Sequence, residues 1–559
     1  MITFNRPSET LNHHHQTTHV HCMYNDPKNN MQRYFALVGH SVFLFVKSRF
    51  LSPIRNLPGP RGSSWIYGSL KEIAEQDEAV THEQWVTKYG RTYKYSAFLQ
   101  KNIIFTLDHK ALNHVLMHHY VWEKHDASRF HFTRIVGPGL LVAEGDHHKL
   151  QRRVMNPAFG PAQVRDLTET FIDKSMELKD VWVSKIETAG GTAKINVLDW
   201  ISKMTLDVIG RAGFNYEFDT LKENGESNKL AHAFAAIFSD LDMEKAKFQP
   251  WTVLQTLFPV LRIFPPMKIP GLDDAQETMD KIGKELLHES KVALEASGDD
   301  INNLKSKDLL TLLVKSNMSG EPSQRMSDKD VLAQIPTFFV AGHETTSTGT
   351  TWALFALVKH LDVQRKLREE LLTLATDNPT MDQLNSLHYL DLVVKESLRL
   401  YAPVPYVLRV ASQDDVIPLS EPLKDKNGVE QHSISVSKGQ TVMVPILALN
   451  RDKATWGEDA MEFKPERWEK VPEAASTVPG VWSHMLTFLG GPRACIGYRL
   501  SLIEMKALLF VLVRDFEFEL GVPSEEIIKK TMIVQRPRVK SEPEGGTQLP
   551  LLVRLCQKD

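Results

Sequence analysis

The residues best suited to chemistry in this chain form a ten-residue run near its C-terminus, Phe488-Leu-Gly-Gly-Pro-Arg-Ala-Cys-Ile-Gly497. A lone thiol, Cys495, follows an aromatic ring, two glycines and an arginine. It directly precedes an amphipathic stretch, Tyr498 to Leu520, that reads as one long helix. A cysteine at a helix N-terminus lies near free backbone N–H groups and the positive end of the dipole, which favour the thiolate. Thiolate is the form that ligates iron. The glycines let the backbone pass close to a flat ligand, and Arg493 can offer a forked donor to a carboxylate. The competing reading is a buried structural cysteine beside a tight turn.

A second set lies in Phe338-Phe-Val-Ala-Gly-His-Glu-Thr-Thr346. A glutamate, a histidine and two threonines in an apolar helix are costly unless they have partners or work to do. Ala341, Gly342 and Thr345 fall on one helix face. Two of them are small, so that face can approach a planar ligand, and Thr345 supplies a hydroxyl where the helix is thinnest. Taken alone, such a threonine reads better as one bonding back to a carbonyl a turn earlier. A third pair, Glu396 and Arg399, meets at i, i+3 on a helix face. By spacing alone it is a surface ion pair, worth little.

The pattern F-x-x-G-x-R-x-C-x-G, carried by Phe488, Gly491, Arg493, Cys495 and Gly497, resembles the haem-binding loop of the cytochrome P450 family. The run around Glu344 and Thr345 resembles the same family's A/G-G-x-D/E-T-T motif, and Glu396-Ser-Leu-Arg399 its E-x-x-R pair. Pro465-Glu-Arg467-Trp468 is similar to the segment that joins that pair. The resemblance runs from about residue 55 to the C-terminus. It implies a mainly α (α+β) fold: one large domain with a long central helix over the haem and small β-sheets. Cys495 would be the proximal thiolate of haem b, and Glu344 and Thr345 would be catalytic, delivering protons for oxygen activation. Glu396, Arg399 and Arg467 would hold the cysteine loop in place. The resemblance also implies a propionate cradle of Arg152, His148, Arg409 and Arg493. His148 stands where relatives usually carry tryptophan, and its charge would depend on pH.

The implied activity is that of a eukaryotic, microsomal and fungal type of monooxygenase. One atom of dioxygen would enter a lipophilic small molecule by hydroxylation or epoxidation, with terpenoids or other secondary metabolites as the expected class. Nothing in the chain resembles a flavin or nicotinamide fingerprint, so electrons are expected from a separate NADPH–cytochrome P450 reductase. Lys149 and Arg153 are the candidate docking face. Two other readings stay open: an oxygen-independent haem-thiolate isomerase or peroxygenase, and a non-catalytic haem-binding sensor. Glu344 and Thr345 argue against the first, and no input or output module is visible for the second.

Elements able to position these groups are legible in the pattern. Helical stretches are expected at 112–122, 145–155, 164–188, 200–213, 275–297, 328–360 and 391–400, with Ser327 capping the sixth. Short strands are expected at 91–95, 102–107 and 441–449. No repeat or long linker interrupts the chain after residue 65, which favours one domain. The first residues differ. Residues 1–34 read as a polar, histidine-rich disordered leader, with Met31 as an alternative start. Residues 35–50 read as a short membrane-associating segment, whose twelve-residue apolar run Phe35–Val46, interrupted by His40 and Ser41, spans about 18 Å as helix. That falls short of the roughly 20 residues that cross a bilayer. Lys47, Arg49, Arg55 and Arg61 follow, then the proline hinge Leu57-Pro-Gly-Pro60. Attachment to the cytosolic face of the endoplasmic reticulum is expected, with the catalytic domain at 51–559 a monomer.

Composition is that of a globular protein: 42% apolar and 24% charged among 559 residues. A net charge of −3 gives no reason to expect nucleic-acid binding. Cys22, Cys495 and Cys556 cannot build a disulfide framework, which suits a reducing compartment.

Overall fold

A computed structural model describes residues 52–556 apart from 78, 223–227, 229, 232–250, 252–253, 256–258, 265–271, 298–307, 320, 322–324 and 532. The leader and the apolar run Phe35–Val46 lie outside the described residues. Asn56–Asp559 forms one compact unit, helical for the most part with four small sheets.

Eight helices and twelve strands frame the site: α1 (His109–Met117), α2 (Gly145–Met155), α3 (Pro161–Thr188), α4 (Val197–Phe214), α5 (Gln334–Lys359), α6 (Leu361–Leu371), α7 (His388–Leu400) and α8 (Tyr498–Asp515). The strands are β1 (Thr92–Ser96), β2 (Asn102–Thr106), β3 (Trp122–Lys124), β4 (Thr192–Asn196), β5 (Val407–Ala411), β6 (Asp415–Lys424), β7 (Glu430–Val436), β8 (Thr441–Val444), β9 (Phe516–Leu520), β10 (Ile527–Thr531), β11 (Gln535–Val539) and β12 (Pro550–Leu555). A five-stranded sheet runs β1-β2-β8-β5-β3, a three-stranded sheet runs β4-β12-β9, and β6-β7 and β10-β11 are hairpins.

Helix α5 is buried over most of its length, its apolar residues spread around the helix. It packs closely on α4, where a Cβ added at Gly342 would meet Ile209 Cδ1 at 2.9 Å. The small residue at 342 therefore serves the helix–helix approach and not a ligand. The expected single helix over 328–360 is in fact two. Ser327 and Asp330 form a reciprocal capping box over Asp328–Leu332, and α5 begins after Ala333. Pro336 explains the break, because it cannot donate to the Leu332 carbonyl one turn earlier.

Three other boundaries differ from expectation. Helix α1 stops at Met117, and Trp122 opens β3 opposite Ala411. The stretch expected as one helix from Tyr498 to Leu520 ends at Asp515. Phe516-Glu-Phe-Glu-Leu520 then alternates with the period of a strand and pairs with β12. Strand β8 ends at Val444, and Pro445 leads into a short helix, Ile446–Asn450. The Leu57–Pro60 segment is no free linker either. Leu57 is buried, and Lys94 N–H of β1 donates to the Pro58 carbonyl at 2.9 Å. A Cβ at Gly59 would fall on the Lys94 carbonyl.

Candidate functional site

The cysteine loop is closed by its own backbone, with Cys495 N–H donating to the Phe488 carbonyl at 2.9 Å. Two of its glycines, Gly490 and Gly491, are required by neighbouring protein. A Cβ at Gly490 would lie 1.7 Å from the Pro479 carbonyl oxygen, and one at Gly491 2.6 Å from that of Leu116 at the end of α1. Gly491 also has φ +70°, the left-handed region that favours glycine. Gly497 precedes the first turn of α8, and a Cβ there would only touch the Phe159 ring at 3.7 Å. The Phe488 ring packs edge-on to Trp482 and tilted against Tyr498.

Cys495 is exposed although Arg493 and Ala494 beside it are buried. The sequence favoured the thiolate; the structure shows opposing influences. Although accessible, the thiol is enclosed by the surrounding fold and loses bulk water, which pushes it up, while the Gly497 N–H and Arg152 pull it down. A metal cation would decide the balance for the thiolate. On α5 the pattern repeats. From Thr337 to Val358 every residue is buried except Ala341, Gly342 and Thr345. Phe159 lies between the two regions, edge-on to Phe338 of α5 at 5.5 Å and beside Gly497.

Thr345 donates to the Ala341 carbonyl at 2.7 Å, the back-bond that a helical threonine commonly makes. Glu344 is not bonded to it. Its carboxylate is 1% exposed and pairs with Arg536 of β11.

The cradle gathers around Arg493. That side chain donates to the Ala143 carbonyl at 3.1 Å and pairs with Glu144, which precedes α2. Arg409 is 4% exposed, and burial, then Arg493, lowers its guanidinium to about 10. Lys124, which sequence reasoning missed, sits directly opposite Arg409 across β3 and β5. Its amine donates to the Ala143 carbonyl at 3.1 Å and lies 3.8 Å from Glu144. Burial, then Arg493, brings that amine down to about 7. Burial, then Arg493, Lys124 and Arg152, lowers the His148 imidazole to about 3. These neighbours favour the neutral imidazole. Arg152 turns the other way, to the Ala494 carbonyl and to Asn156 Oδ1 at 3.1 Å.

These residues fit the haem that the loop pattern implies. Like charges opposite one another on a sheet are unfavourable unless an anion lies between them. Lys124 and Arg493 share the Glu144 carboxylate, whose charge also reaches Arg409, and Arg493 Nε is buried with no hydrogen-bond partner. A ligand bearing two carboxylates would supply what is lacking.

The expected support is present, and it is not a surface pair. Arg399 donates to Glu396 through Nε at 2.9 Å and Nη2 at 2.8 Å, with both side chains 0% exposed. Arg467 Nε lies 3.4 Å from Glu396, and Trp468 Nε1 donates to it at 3.0 Å. Arg399 Nη1 also donates to the Asn450 carbonyl at 2.8 Å. The Asn450 side chain in turn accepts from Leu486 N–H at 3.1 Å and meets Thr487 Oγ1 at 2.8 Å, next to Phe488. Asn450 and Thr487 thus connect the buried triad to the cysteine loop. No motif announced them, and only their side-chain chemistry in an apolar stretch hinted at partners.

A profile of the cytochrome P450 family matches residues 57–541. Cytochrome P450 monooxygenase 205 of Postia placenta is 53% identical over 508 residues, covering 90% of this chain and 93% of the relative. Cytochrome P450 monooxygenase 128 of the same fungus is 50% identical over 512 residues, with 90% and 93% covered. Cytochrome P450 monooxygenase claQ of Ampulloclitocybe clavipes is 37% identical over 528 residues, with 92% and 96% covered. The likeness spans the cysteine loop, the central helix and the buried triad together, and with it the chain belongs to the cytochrome P450 family, as a haem-carrying monooxygenase.

Proposed function

We propose that this monooxygenase inserts one oxygen atom from dioxygen into a C–H or C=C bond of a lipophilic small molecule of secondary metabolism. Cys495 would be the thiolate ligand, with Thr345 and Glu344 handling protons. The observation that carries the reading is the pattern of accessibility: the Cys495 thiol is exposed beside buried Arg493 and Ala494, and Ala341, Gly342 and Thr345 are the accessible positions in the otherwise buried stretch Thr337–Val358. When bound, haem supplies the oxidising chemistry, tuned by its thiolate ligand. Arg493, Arg409 and Lys124 would hold its carboxylates, with His148 as a neutral donor. Arg152 would brace the loop through Ala494. The Thr345 hydroxyl spends its proton on Ala341, so its oxygen is left as an acceptor toward the open face. The triad of Glu396, Arg399 and Arg467 touches no reacting atom and acts as support.

Cytochrome P450 enzymes in general draw electrons from a redox partner. Here we assign that role to a membrane-bound NADPH reductase, docking near Lys149 and Arg153. Attachment to the endoplasmic reticulum is supported by the sequence of residues 35–46. Trp65, Ile66 and Tyr67, exposed at 70%, 45% and 39% soon after the Leu57–Pro60 segment, support it further. No helix among the described residues is long and apolar enough to cross a membrane.

The reduced protein under carbon monoxide should show the red-shifted Soret band of a thiolate-ligated haem. Cys495→Ser should lose that band and all oxygenation, because a neutral hydroxyl cannot replace a soft anionic donor. A mutant that keeps the band would remove the assignment.

A further inference from the structure

Glu344 is the acidic residue in the buried stretch Thr337–Val358 of α5, and it does not face the threonine beside it. Arg536 donates to it through Nε, 2.6 Å from Oε1, and through Nη2 to Oε2. Arg536 comes from β11, more than 190 residues along the chain. That strand is seated independently of the pair. Trp352 Nε1 of α5 donates to the Gln535 carbonyl at 2.6 Å, and Gln535 N–H donates to the Pro403 carbonyl at 2.8 Å. Arg536 Nη1 also reaches Thr547 Oγ1 at 3.3 Å.

The other titratable group facing Glu344 is His343 on the same helix, with Nε2 3.8 Å from Oε2. Burial holds that imidazole below its ordinary value, which favours the neutral form. Among the described residues α4, α7 and α8, which pack against the same helix, present no hydrogen-bonding or ion-pairing side chain to the carboxylate. Arg536 is thus the cation that faces it. A carboxylate taken out of water is costly unless paired, and a forked arginine contact is the strongest form of pairing available.

We propose that Arg536 is the positioning residue for the acid of the proton-handling pair. It holds the Glu344 carboxylate toward β11 by a two-point contact, so that a proton taken from water is released toward Thr345 and not retained. The inference rests on the role given to Glu344 above. A relay group must accept a proton on one oxygen and release one readily. Without Arg536, a buried carboxylate beside a neutral imidazole takes up a proton and holds it.

The test uses the haem-loaded full chain with an NADPH reductase, comparing wild type, Arg536→Gln, Arg536→Lys, Glu344→Gln and the double variant Arg536→Gln/Glu344→Gln. Two quantities are read: the infrared carbonyl band of a protonated carboxyl group, and peroxide released per NADPH as a function of pH. Arg536→Gln should gain a protonated-carboxyl band at neutral pH that the double variant lacks. Its peroxide profile should shift alkaline by about one pH unit or more. Arg536→Lys, a point charge without the fork, should shift the profile partway. If Arg536→Gln fails to retain haem, the lysine variant carries the same comparison. Neither band nor profile moving in the variants that fold would overturn the proposal. A Glu344→Gln enzyme with wild-type peroxide yield at every pH would instead remove the acid's role, and with it this one, whatever the infrared result.

Discussion

Two readings of Thr345 differ by a single hydrogen bond. Its bond to the Ala341 carbonyl is what any helical threonine makes, yet Thr345 is one of three accessible positions in the buried stretch Thr337–Val358. A threonine that merely satisfies itself could be replaced without consequence for chemistry. Thr345→Ala should leave haem incorporation intact, lower product turnover by about tenfold or more and divert NADPH electrons to hydrogen peroxide. Peroxide yield and product are measured together, and coupling equal to wild type would return Thr345 to a structural role. Glu504 of α8 presents a different problem. It is 2% exposed, its Oε1 has no hydrogen-bond partner, and burial raises its carboxyl well above the ordinary value of 4.5. The folded protein therefore holds a proton that the unfolded chain releases above that value, and stability falls as pH rises through it. Glu504→Gln should raise the unfolding temperature at neutral pH, and the gain should vanish below about pH 4.5. A gain independent of pH would rule out the protonation argument.

At the scale of elements, the cysteine loop is held from outside by helix α7 and the segments that pack on it. Arg399 spans Glu396, the Asn450 carbonyl and the Ala460 carbonyl at 2.6 Å, with its guanidinium 5.3 Å from the Trp456 ring. Removing one member of a buried pair leaves the others charged and unpaired, at a cost of about 3–5 kcal/mol. Glu396→Ala strands Arg399, one contact of Arg467 and the Trp468 N–H together. It should therefore depress thermal stability by that order and lower haem content more than Thr345→Ala does. Both are read from an unfolding curve and the Soret absorbance per protein. A variant with normal stability and haem would show that the triad does not hold the loop.

For the whole molecule, the relevant boundary lies before Leu57 and not after Pro60, because the hinge is built into β1 through Pro58 and Lys94. Deleting residues 1–50 should leave haem binding unchanged, whereas extending the deletion through Pro60 uncovers the edge of β1 and should destabilise the fold. Attachment is expected to be interfacial, since a twelve-residue run interrupted by His40 and Ser41 cannot span hydrocarbon without thinning it. An alkaline carbonate wash should release the full-length protein from membranes. Retention that disappears on deleting residues 35–46 would show that the short segment inserts.

The sequence by itself determined the family and the reaction class, and it singled out the residues proposed for the centre. Cys495 with its flanking Phe488, Gly491 and Arg493, the Glu344–Thr345 pair, and Glu396 with Arg399 are local patterns, and local patterns carry their meaning within a few residues. It also yielded the longest helices, because apolar periodicity needs no partner to be read, but not Val80–Tyr89, Asp126–Val136, Leu309–Ser319 or Leu361–Leu371. Element ends were less legible. Pro336 and the alternation of Phe516 to Leu520 were visible, but their effect depended on competing periodicities nearby. What only the tertiary structure decided were pairings across long separations. Lys124 meets Arg409 through sheet register, Arg536 meets Glu344 across 192 residues, and Asn450 joins α7 to the cysteine loop. None of these has a local signature, since a lone cation on a strand reads as solvated until the chain brings a buried carboxylate to it. The glycines make the same point from the opposite side. Their presence in the loop was plain, but the reason for it, the close approach of the Pro479 and Leu116 carbonyls, is a property of packing.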